Sequence, residues 1–580
     1  MNSSIHRTRA AKLLGTLGVW FLAAACGDNP TEPQNDTDPL QGPDPTVASI
    51  EPTRGTVGTD LRITGTNFRT GASVRIGTLD ATGIAMSSSS ELFATVPTGI
   101  TADSIYDVTV TNADETTATF AQAFTAVAPT LSFVNGATKP SGNSGSTVIL
   151  EGSAFGDAQG PGRVLFSDGA GGTVEAAIAS ADDWSDTFIL TTVPSGADSG
   201  PVLVETGTGE SESLPFTLAD AATFSPSTIA WTESQSLPIA VSGHSATFVP
   251  IDDATGETIQ HVYAIGGSSN DSIPLADARY NVIASDGHVA TWQSATSLTS
   301  GVTHHATVAA TPFNSKAPGS GYLFVMGGIE EKGGQPVNTI HRLPLNQDGT
   351  TGAPEVAGTL PAPLHSSGAV VFRSTVYIAG GATTDDVPVN TVYRATIDTL
   401  GNLGSWEELD VLPEARAHHQ LVGFGGFLYA VGGDSAAVSI DDPNFSQNET
   451  KLSTVVHARI NLRSGLLQAG WTVSGSEMQK SRSKHVALGA GGSLFVSSGL
   501  YAAAGTGSSE NSFAPINSDG TLESFNGATG SNTLLSVGGV NLFNTRGISY
   551  VDANGVAHVM ILGGDDVNNP GVKTGKVIFY

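Results

Sequence analysis

The sequence feature that most constrains the fold is a short apolar run that ends in glycine and occurs six times. One copy reads "FLYAVGG" and ends at residue 433. The other full copies end at residues 267, 328, 381 and 564, and a sixth, "SLFVSSG", ends at residue 499. The copies lie about 50–65 residues apart, a spacing found in solenoids, propellers and arrays. The second half of the chain is therefore predicted to be a set of equivalent units.

Composition predicts an all-β protein. The 580 residues include 70 glycines, and many short Val, Ile, Thr and Phe runs occur without sustained helical periodicity after residue 25. The net charge of −29 comes without a basic stripe, which argues against nucleic acid as a partner because phosphate binding needs clustered Lys and Arg. A single cysteine, Cys26, excludes an intramolecular disulfide, a Cys-rich zinc site and an iron–sulfur cluster.

Residues 1–25 are predicted to be a signal peptide. A basic start (Arg7, Arg9 and Lys12) precedes an apolar run at 13–25 that is too short to span a membrane. The stretch "LAAAC" (22–26) resembles a bacterial lipoprotein signal, which implies cleavage before Cys26 and lipidation of that cysteine. Ala23 departs from the pattern, since Leu is typical there, and an ordinary secretory peptide is the alternative. Residues 26–45, rich in Pro and Asp, are expected to form a disordered tether.

Two similar segments follow the tether. "LRITGTNF" (61–68) returns as "VILEGSAF" (148–155), and both segments alternate apolar and polar positions as half-buried strands do. They resemble IPT/TIG domains, which are immunoglobulin-like sandwiches marked by a Pro-x-x-Gly turn at Pro52 and a Gly-x-x-Phe motif at Gly65 and Gly152. The second copy lacks the Pro-x-x-Gly spacing. The resemblance implies two sandwiches, at 46–127 and 128–220, that act as spacers or modest binding modules.

Each glycine-ended run belongs to a longer unit in residues 221–580. A Gly–Trp hairpin follows it, as at Gly401 and Trp406, and a histidine opens the next unit about thirteen residues later, as at His419. This pattern resembles the kelch motif, which implies a β-propeller with four-stranded blades around a channel. Six glycine-ended runs predict six blades. Trp231 stands thirteen residues before His244 with no glycine-ended run before it, so the strand at 227–238 is predicted to complete the last blade.

The candidate ligand site is a series of equivalent strand starts. Histidines occupy five of them and Arg546 is placed at the sixth, a position that the kelch resemblance places beside the channel. Imidazoles there can hydrogen-bond a sugar hydroxyl or ligate a metal, whereas the alternative is that each histidine only ties its loop to the backbone. Arg416 precedes one of the strands, and Lys480, Arg482 and Lys484 precede another. Arg416 and Arg482 are expected at the rim, where such a basic group would attract a carboxylate or an acidic glycan, whereas the alternative is that these are ordinary solvated loop residues. The candidate binding residues are His244, His305, His365, His419, His485, Arg416, Arg482 and Arg546.

No catalytic residues are predicted. Galactose oxidase joins a kelch propeller to an Ig-like domain, but its cofactor needs a Cys–Tyr cross-link and the repeats here contain no cysteine. A nucleophile elbow, a His-Glu-x-x-His motif and a phosphate loop are also missing. No cofactor is expected. Calcium at the acidic loops 251–257 and 563–571 is a minor alternative, since they lack EF-hand spacing.

The sequence therefore predicts a cell-envelope protein held to a membrane by a lipid at Cys26, at the outer membrane or cell surface, with secretion as the alternative. Its propeller is expected to bind an extracellular glycan or protein without catalysis. The rival functions are a carbohydrate-active enzyme, of epimerase or hydrolase type, on the histidine face, and a purely structural envelope scaffold.

Overall fold

The computed structural model describes residues 42–135, 138–218, 231–253, 257–310, 321–398, 400–436, 450–501, 511–527, 542–552, 556–566 and 572–580. Within these ranges the protein is all-β, with 47 strands and one 3-10 turn at Ala181–Asp183, which confirms the predicted fold class. The signal segment, Cys26 and most of the tether lie outside the described residues. No helix in the described part of the chain is long and apolar enough to cross a membrane.

The first domain is a sandwich of two sheets. One sheet has the strand order β1-β3-β7-β6 and the other β2-β9-β8-β4-β5. Alternate residues such as Leu61 and Ile63 face Val74 and Val108 of the opposite sheet in a solvent-free core. The strands are β1 (Thr46–Glu51), β2 (Arg54–Gly55), β3 (Asp60–Thr66), β4 (Ser73–Ile76), β5 (Leu79–Asp80), β6 (Thr82–Ser88), β7 (Glu91–Thr95), β8 (Ile105–Thr111) and β9 (Thr117–Ala126).

The second domain repeats this sandwich. Its sheets have the orders β10-β12-β16-β15 and β11-β19-β17-β13-β14, with β18 paired to β17. A Cβ at Gly152 would overlap the Thr130 carbonyl and the Phe155 ring, as one at Gly65 would overlap their counterparts, so close strand approach explains the Gly-x-x-Phe motif. The strands are β10 (Thr130–Val134), β11 (Ser141–Gly142), β12 (Thr147–Ser153), β13 (Arg163–Ser167), β14 (Thr173–Ala176), β15 (Trp184–Ser185), β16 (Phe188–Thr192), β17 (Gly200–Thr206), β18 (Gly209–Glu210) and β19 (Leu214–Leu218).

The rest of the chain forms six four-stranded sheets. Their strand orders are β21-β22-β23-β24, β25-β26-β27-β28, β29-β30-β31-β32, β33-β34-β35-β36, β38-β39-β41-β42 and β44-β45-β47-β20, numbered here as sheets 1 to 6. Two small pairs, β37 with β40 and β43 with β46, lie beside sheets 5 and 6. Each glycine-ended run is the second strand of its sheet.

The bounds of these strands are as follows. Sheets 1 to 3 and the strand that completes sheet 6 contain β20 (Thr232–Glu233), β21 (Ser245–Asp252), β22 (Thr258–Ile265), β23 (Ala278–Val282), β24 (Gln293–Ser294), β25 (Ala306–Ala310), β26 (Gly321–Met326), β27 (Thr339–Leu345), β28 (Glu355–Thr359), β29 (Gly368–Phe372), β30 (Thr375–Ala379), β31 (Val392–Thr396) and β32 (Glu407–Glu408). The remaining strands are β33 (Gln420–Phe424), β34 (Phe427–Val431), β35 (Val455–Ile460), β36 (Leu467–Val473), β37 (Arg482–Ser483), β38 (Val486–Ala490), β39 (Ser493–Ser497), β40 (Leu500–Tyr501), β41 (Asn511–Pro515), β42 (Asn526–Gly527), β43 (Leu542–Phe543), β44 (Arg546–Val551), β45 (Ala557–Leu562), β46 (Asp565–Asp566) and β47 (Val577–Phe579).

The six sheets follow one another in a closed circle, as the blades of a β-propeller do. The first strands contact each other in the order β21, β25, β29, β33, β38, β44 and back to β21, so they surround a central channel. The last sheet takes its fourth strand from the other end of the chain, because Thr232 and Glu233 pair antiparallel with Phe579 and Ile578. Because the circle is closed, every first strand has a neighbouring first strand on both sides at the channel.

The double glycines are required by histidines packed on either side of them. At sheet 4, Gly432 has φ +57 and its Cβ would lie 2.8 Å from the ring of His485 in sheet 5. Gly433 has φ +106 and its Cβ would lie 2.8 Å from the Cβ of His419 in its own sheet. At sheet 1, Gly266 likewise meets the ring of His305 and Gly267 meets the Cβ of His244, and at sheet 6 Gly563 meets the ring of His244. A left-handed backbone and a histidine contact thus exclude any side chain at both positions.

Hydroxyl groups tie neighbouring sheets together at the outer side. The Tyr377 hydroxyl donates to the Gly465 carbonyl at 2.7 Å, and Tyr263 and Tyr429 donate in the same way to Gly349 and Gly520. Each tyrosine lies on a second strand, and each acceptor glycine lies in the hairpin of a neighbouring sheet. The aromatic residue of one repeat is therefore held by the Gly–Trp hairpin of another, which explains why the two features recur together.

The second sandwich packs directly on the six-sheet ring. Phe188 and Leu190 join the buried apolar cluster of sheets 3 and 4, and the Arg373 guanidinium lies 3.9 Å from the centre of the Phe188 ring. Asp183 accepts from Arg459 at 2.5 Å in an ion pair in which Asp183 is almost fully buried. Apolar burial and a paired charge together fix the second sandwich against the ring.

We predict that Gly433→Ala destabilises the ring far more than Gly492→Ala. Both glycines have positive φ, but a Cβ at Gly492 meets nothing within 4 Å. The left-handed conformation alone disfavours alanine by about 1–2 kcal/mol, and the clash with His419 adds about 1–3 kcal/mol. Thermal unfolding of the two variants measures the difference. Equal shifts of the unfolding midpoint would show that the histidine contact is unimportant.

Candidate functional site

One end of the channel is closed by a cycle of backbone hydrogen bonds. One residue from each sheet, just before the first strand, donates its N–H to the carbonyl of its counterpart in the neighbouring sheet, with N–O distances of 2.7–3.2 Å. All six residues have φ between +52 and +60. We call them the amide ring, and they are Gly243, His304, Ser366, His418, Lys484 and Asn544.

Side chains from alternate members of the amide ring meet over its axis. The rings of His304 and His418 have centroids 5.8 Å apart, and Asn544 Nδ2 lies 3.4 Å from His304 Nε2. These three residues come from sheets 2, 4 and 6, and each is only 6% exposed. Convergence of three buried polar side chains on the axis blocks this end of the channel.

Two buried carboxylates support the amide ring from behind. Asp434 lies 3.2 Å from His418 Nδ1, and Asp565 accepts from Asn544 Nδ2 at 3.2 Å. Burial raises the pKa of both carboxyl groups, and Lys484 is one of the cations that oppose this rise. Lys484, itself only 7% exposed, therefore lies close enough to both carboxylates to stabilise their charge.

The channel holds a cavity of about 480 Å³. All six first strands line it, so its wall is a mixture of small apolar and polar groups such as Val308, Thr307 and Gln420. Lys484 and Arg546 supply the positive charge. Among the described residues that line the cavity there is no Asp, Glu or Tyr.

Arg546 has few partners in this cavity. Its Nη1 donates to the Thr545 carbonyl at 3.0 Å, and within the described part of the chain the guanidinium forms no ion pair. Loss of solvation lowers the pKa of Arg546 to about 10, so the group remains charged at neutral pH. Lys484 likewise lies within 4 Å of no described carboxylate. The cavity therefore has a positive field that no wall residue neutralises.

The predicted histidines lie between the sheets and not at the channel mouth. His244, His305, His419 and His485 are 0–3% exposed, and His305 Nε2 lies 3.0 Å from Ser245 Oγ of the preceding sheet. His305 and His419 reach the cavity wall, whereas His244 and His485 do not. Burial lowers the pKa of His244, His305 and His419 to about 3, so these rings are neutral and act as packing groups.

Two members of the predicted series are out of register. His365 pairs through its backbone with Ala382, and in sheet 4 the equivalent pair is Ala417 with Asp434. His365 is therefore equivalent to Ala417, two residues before His419. In sheet 3 the position equivalent to His419 is Ser367. In sheet 6 that position belongs to Thr545, whose Cβ faces Gly564. The assignment of His365 and Arg546 to the histidine series was therefore wrong, because spacing in sequence does not reveal a shift of one or two residues in a loop.

Arg416 and Arg482 are also placed differently from the prediction. Arg416 is fully buried and donates to the carbonyls of Ala430 and Gly432, and Arg482, 1% exposed, donates to the Ser498 carbonyl. Burial lowers the pKa of Arg416 to about 10. Both arginines cap carbonyl groups at the end of a second strand, so neither stands at a rim. Arg546 alone of the predicted arginines lines the channel.

The side chains of His304 and His418, which close the channel, were missed as site residues, and Lys484 was expected only as part of a positive rim. Each of the three comes one position before a predicted histidine, as the doublets "HH" and "KH" show. The first residue of each doublet has a positive φ and belongs to the amide ring, whereas the second packs between the sheets, so only one of the two faces the axis. The doublets are the sequence signal for this site, and the first residue of each doublet, not the second, faces the axis.

Metal binding finds no support in the described residues. No group of three or more His, Cys, Asp or Glu side chains there is arranged to hold a metal ion. The acidic loops 251–257 and 563–571, named as calcium candidates, lie partly outside the described ranges.

Comparisons with known proteins identify the first sandwich. The family model of the IPT/TIG domain matches residues 45–126, which confirms that prediction for the first of the two segments. No curated protein matches the chain. A solved structure titled "Structure of YjhT" matches with 12% sequence identity and a TM-score of 0.35, covering 50% of this chain and 99% of that chain.

We predict that the ring loses stability as the pH falls below about 6.5. The unfolded chain binds protons at His244, His305 and His419 below pH 6.5, whereas the folded ring does not until about pH 3. Each histidine thus removes up to about 1.4 kcal/mol of unfolding free energy per pH unit in this window. Unfolding midpoints between about pH 7 and pH 5 test this. Midpoints unchanged over this range would contradict it.

Proposed function

We propose that this protein is a cell-envelope lipoprotein whose six-sheet ring binds an extracellular glycan or protein at the central channel. The kelch-like repeats, the lipoprotein-like start and the IPT/TIG domain together support a binding module on a membrane tether. No nucleic acid is expected as partner, since the net charge is −29 and the sequence has no basic stripe.

The observation that carries this proposal is the cation pair in the cavity. Arg546 and Lys484 line a cavity of about 480 Å³ without a carboxylate in the described wall. The chain has 54 acidic residues, yet the half-buried Arg546 forms no ion pair with any described carboxylate, whereas charges taken out of water are normally paired. An unpaired one inside a cavity is best explained by a group that arrives from outside.

In this proposal the two sandwiches are a spacer between membrane and ring. Their joints are packed rather than loose: Thr56 of the first domain hydrogen-bonds Thr206 and Thr208 of the second, and the Asp157 carboxylate of the second accepts from the backbone of Asp60. These contacts join the first sandwich to the second.

We predict that Cys26→Ser releases the protein from membranes. Thioether attachment of a lipid needs the cysteine thiol, which a serine hydroxyl does not replace. Fractionation of cells that express each form, followed by immunoblotting, measures the distribution. Retention of the variant in the membrane fraction would rule out Cys26 as the anchor.

A second prediction concerns binding itself. The full chain without its signal segment is screened on a glycan array and against extracellular protein extracts, and any ligand found should lose about tenfold to hundredfold in affinity with Arg546→Gln. Arg62→Gln removes the same charge from the first sandwich, where Arg62 is half exposed, and serves as the matched control. Binding that is unaffected by Arg546→Gln would move the site away from the channel.

The rival function, a carbohydrate-active enzyme in the same channel, has one observation in its favour. His418 Nδ1 faces Asp434, an arrangement that orients an imidazole for proton transfer. However, its Nε2 is buried and lacks a hydrogen-bond partner among the described residues, and no carboxylate lines the cavity. Acid–base catalysis needs both groups within reach of a substrate, so binding is favoured over catalysis.

A further inference from the structure

We propose that the channel is a blind pocket for a small oxyanion, a carboxylate or a phosphate group, which enters beside the second sandwich and pairs with Arg546 and Lys484. This inference rests on the proposed binding function and specifies the chemistry of the group that is bound and the end of the channel by which it enters.

The pocket is blind because the amide ring closes one end. Its backbone hydrogen bonds form a complete cycle, and His304, His418 and Asn544 fill the axis. None of these three side chains is more than 6% exposed. A ligand therefore cannot pass between the cavity and the solvent on that side without breaking buried hydrogen bonds.

The opposite end is more open. There the first strands turn into the second strands, and the cavity-lining residues at that end, such as Val371, Gly423, Gly489 and Ser549, are only partly buried. Entry at this end leads a ligand along the first strands towards the charged groups near the amide ring.

The second sandwich lies at the margin of this open end. Val370 and Leu421 line the cavity and also belong to the apolar cluster that contains Phe188 and Leu190. The Leu190 side chain lies 3.0 Å from the Cβ position of Gly426, in the turn that follows a channel strand. The second sandwich is thus a neighbour of the entrance in addition to a spacer.

The two cations act on the same region of the channel. Arg546 and Lys484 each lower the pKa of His304 and His418, although burial is the larger cause at both rings. Both charges are therefore close to the closed end. Lys484 already stabilises the charges of Asp434 and Asp565, and the surrounding imidazoles are neutral. Arg546 has no described carboxylate within ion-pair distance, so an anion from outside would complete the charge balance at Arg546.

An oxyanion fits this pair better than a neutral group. A guanidinium presents parallel N–H donors that match two oxygens of a carboxylate or phosphate, and a lysine ammonium adds a point charge. Among the described residues Arg546 donates one hydrogen bond, from Nη1 to the carbonyl of the preceding Thr545, and its side chain lines the cavity, so its other N–H groups are available to a ligand there. A neutral sugar would leave both charges without a counter-ion.

The test uses the full mature chain and three probes at constant ionic strength: galacturonate, its neutral counterpart galactose, and inorganic phosphate. We expect galacturonate, phosphate or both to raise the unfolding midpoint of the wild type, whereas galactose does not. Stabilisation by galacturonate alone identifies a carboxylate, and stabilisation by phosphate alone identifies a phosphate group. If neither anion raises the midpoint beyond the effect of chloride, the inference is wrong.

Variants locate the effect. Arg546→Gln should weaken anion binding about tenfold to hundredfold, Arg546→Lys less, and Arg62→Gln not at all. Lys484→Gln is the second probe of the pocket if Arg546→Gln does not fold. Equal stabilisation of the wild type and both pocket variants would place the anion elsewhere and overturn the inference.

The outcome separates this inference from the proposed function. A glycan or protein ligand that binds Arg546→Gln normally, with no anion effect on the wild type, would keep a binding function, move it away from the channel and remove the oxyanion site. An anion effect at Arg546 without any extracellular ligand would do the reverse.

Discussion

The cycle of six backbone hydrogen bonds at the amide ring is the constraint on which the rest of the ring depends. Each bond joins one sheet to the next, so the cycle closes only with six sheets in the observed register. Six such bonds contribute about 6 kcal/mol net, while five non-glycine residues in left-handed conformation oppose folding by about 5–10 kcal/mol. The cycle therefore sets the number and alignment of the sheets, and the stability comes from the apolar faces packed between them.

The packing of histidine against glycine, here called the interlock, also joins neighbouring sheets. A neutral imidazole fills the space over the first glycine of one sheet while its Cβ touches the second glycine of its own sheet. The imidazole is large and flat, and burial keeps it uncharged. Sheet 3 has Ser367 at this position, so the interlock tolerates a smaller side chain there. The histidine repeat is thus explained by packing, and the channel chemistry lies one residue earlier.

The second sandwich packs closely against the six-sheet ring. A spacer needs only length, yet the second sandwich buries Phe188 and pairs Asp183 with Arg459 of sheet 4. These contacts place it next to the open end of the channel, opposite the amide ring. The contacts between the second sandwich and sheets 3 and 4 therefore fix the position of the sandwich relative to the open end of the channel.

The sequence by itself determined the all-β class, the IPT/TIG segment and the six glycine-ended second strands, because glycine spacing and apolar alternation are local properties that survive in any window of the chain. Only the tertiary structure decided which residues face the channel. His304 and His418 are distinguished from His305 and His419 by a single residue of strand register, and Arg416 differs from Arg546 only in what surrounds it. Side-chain direction, burial and charge pairing depend on neighbours from other sheets, and those neighbours are set by closure of the ring.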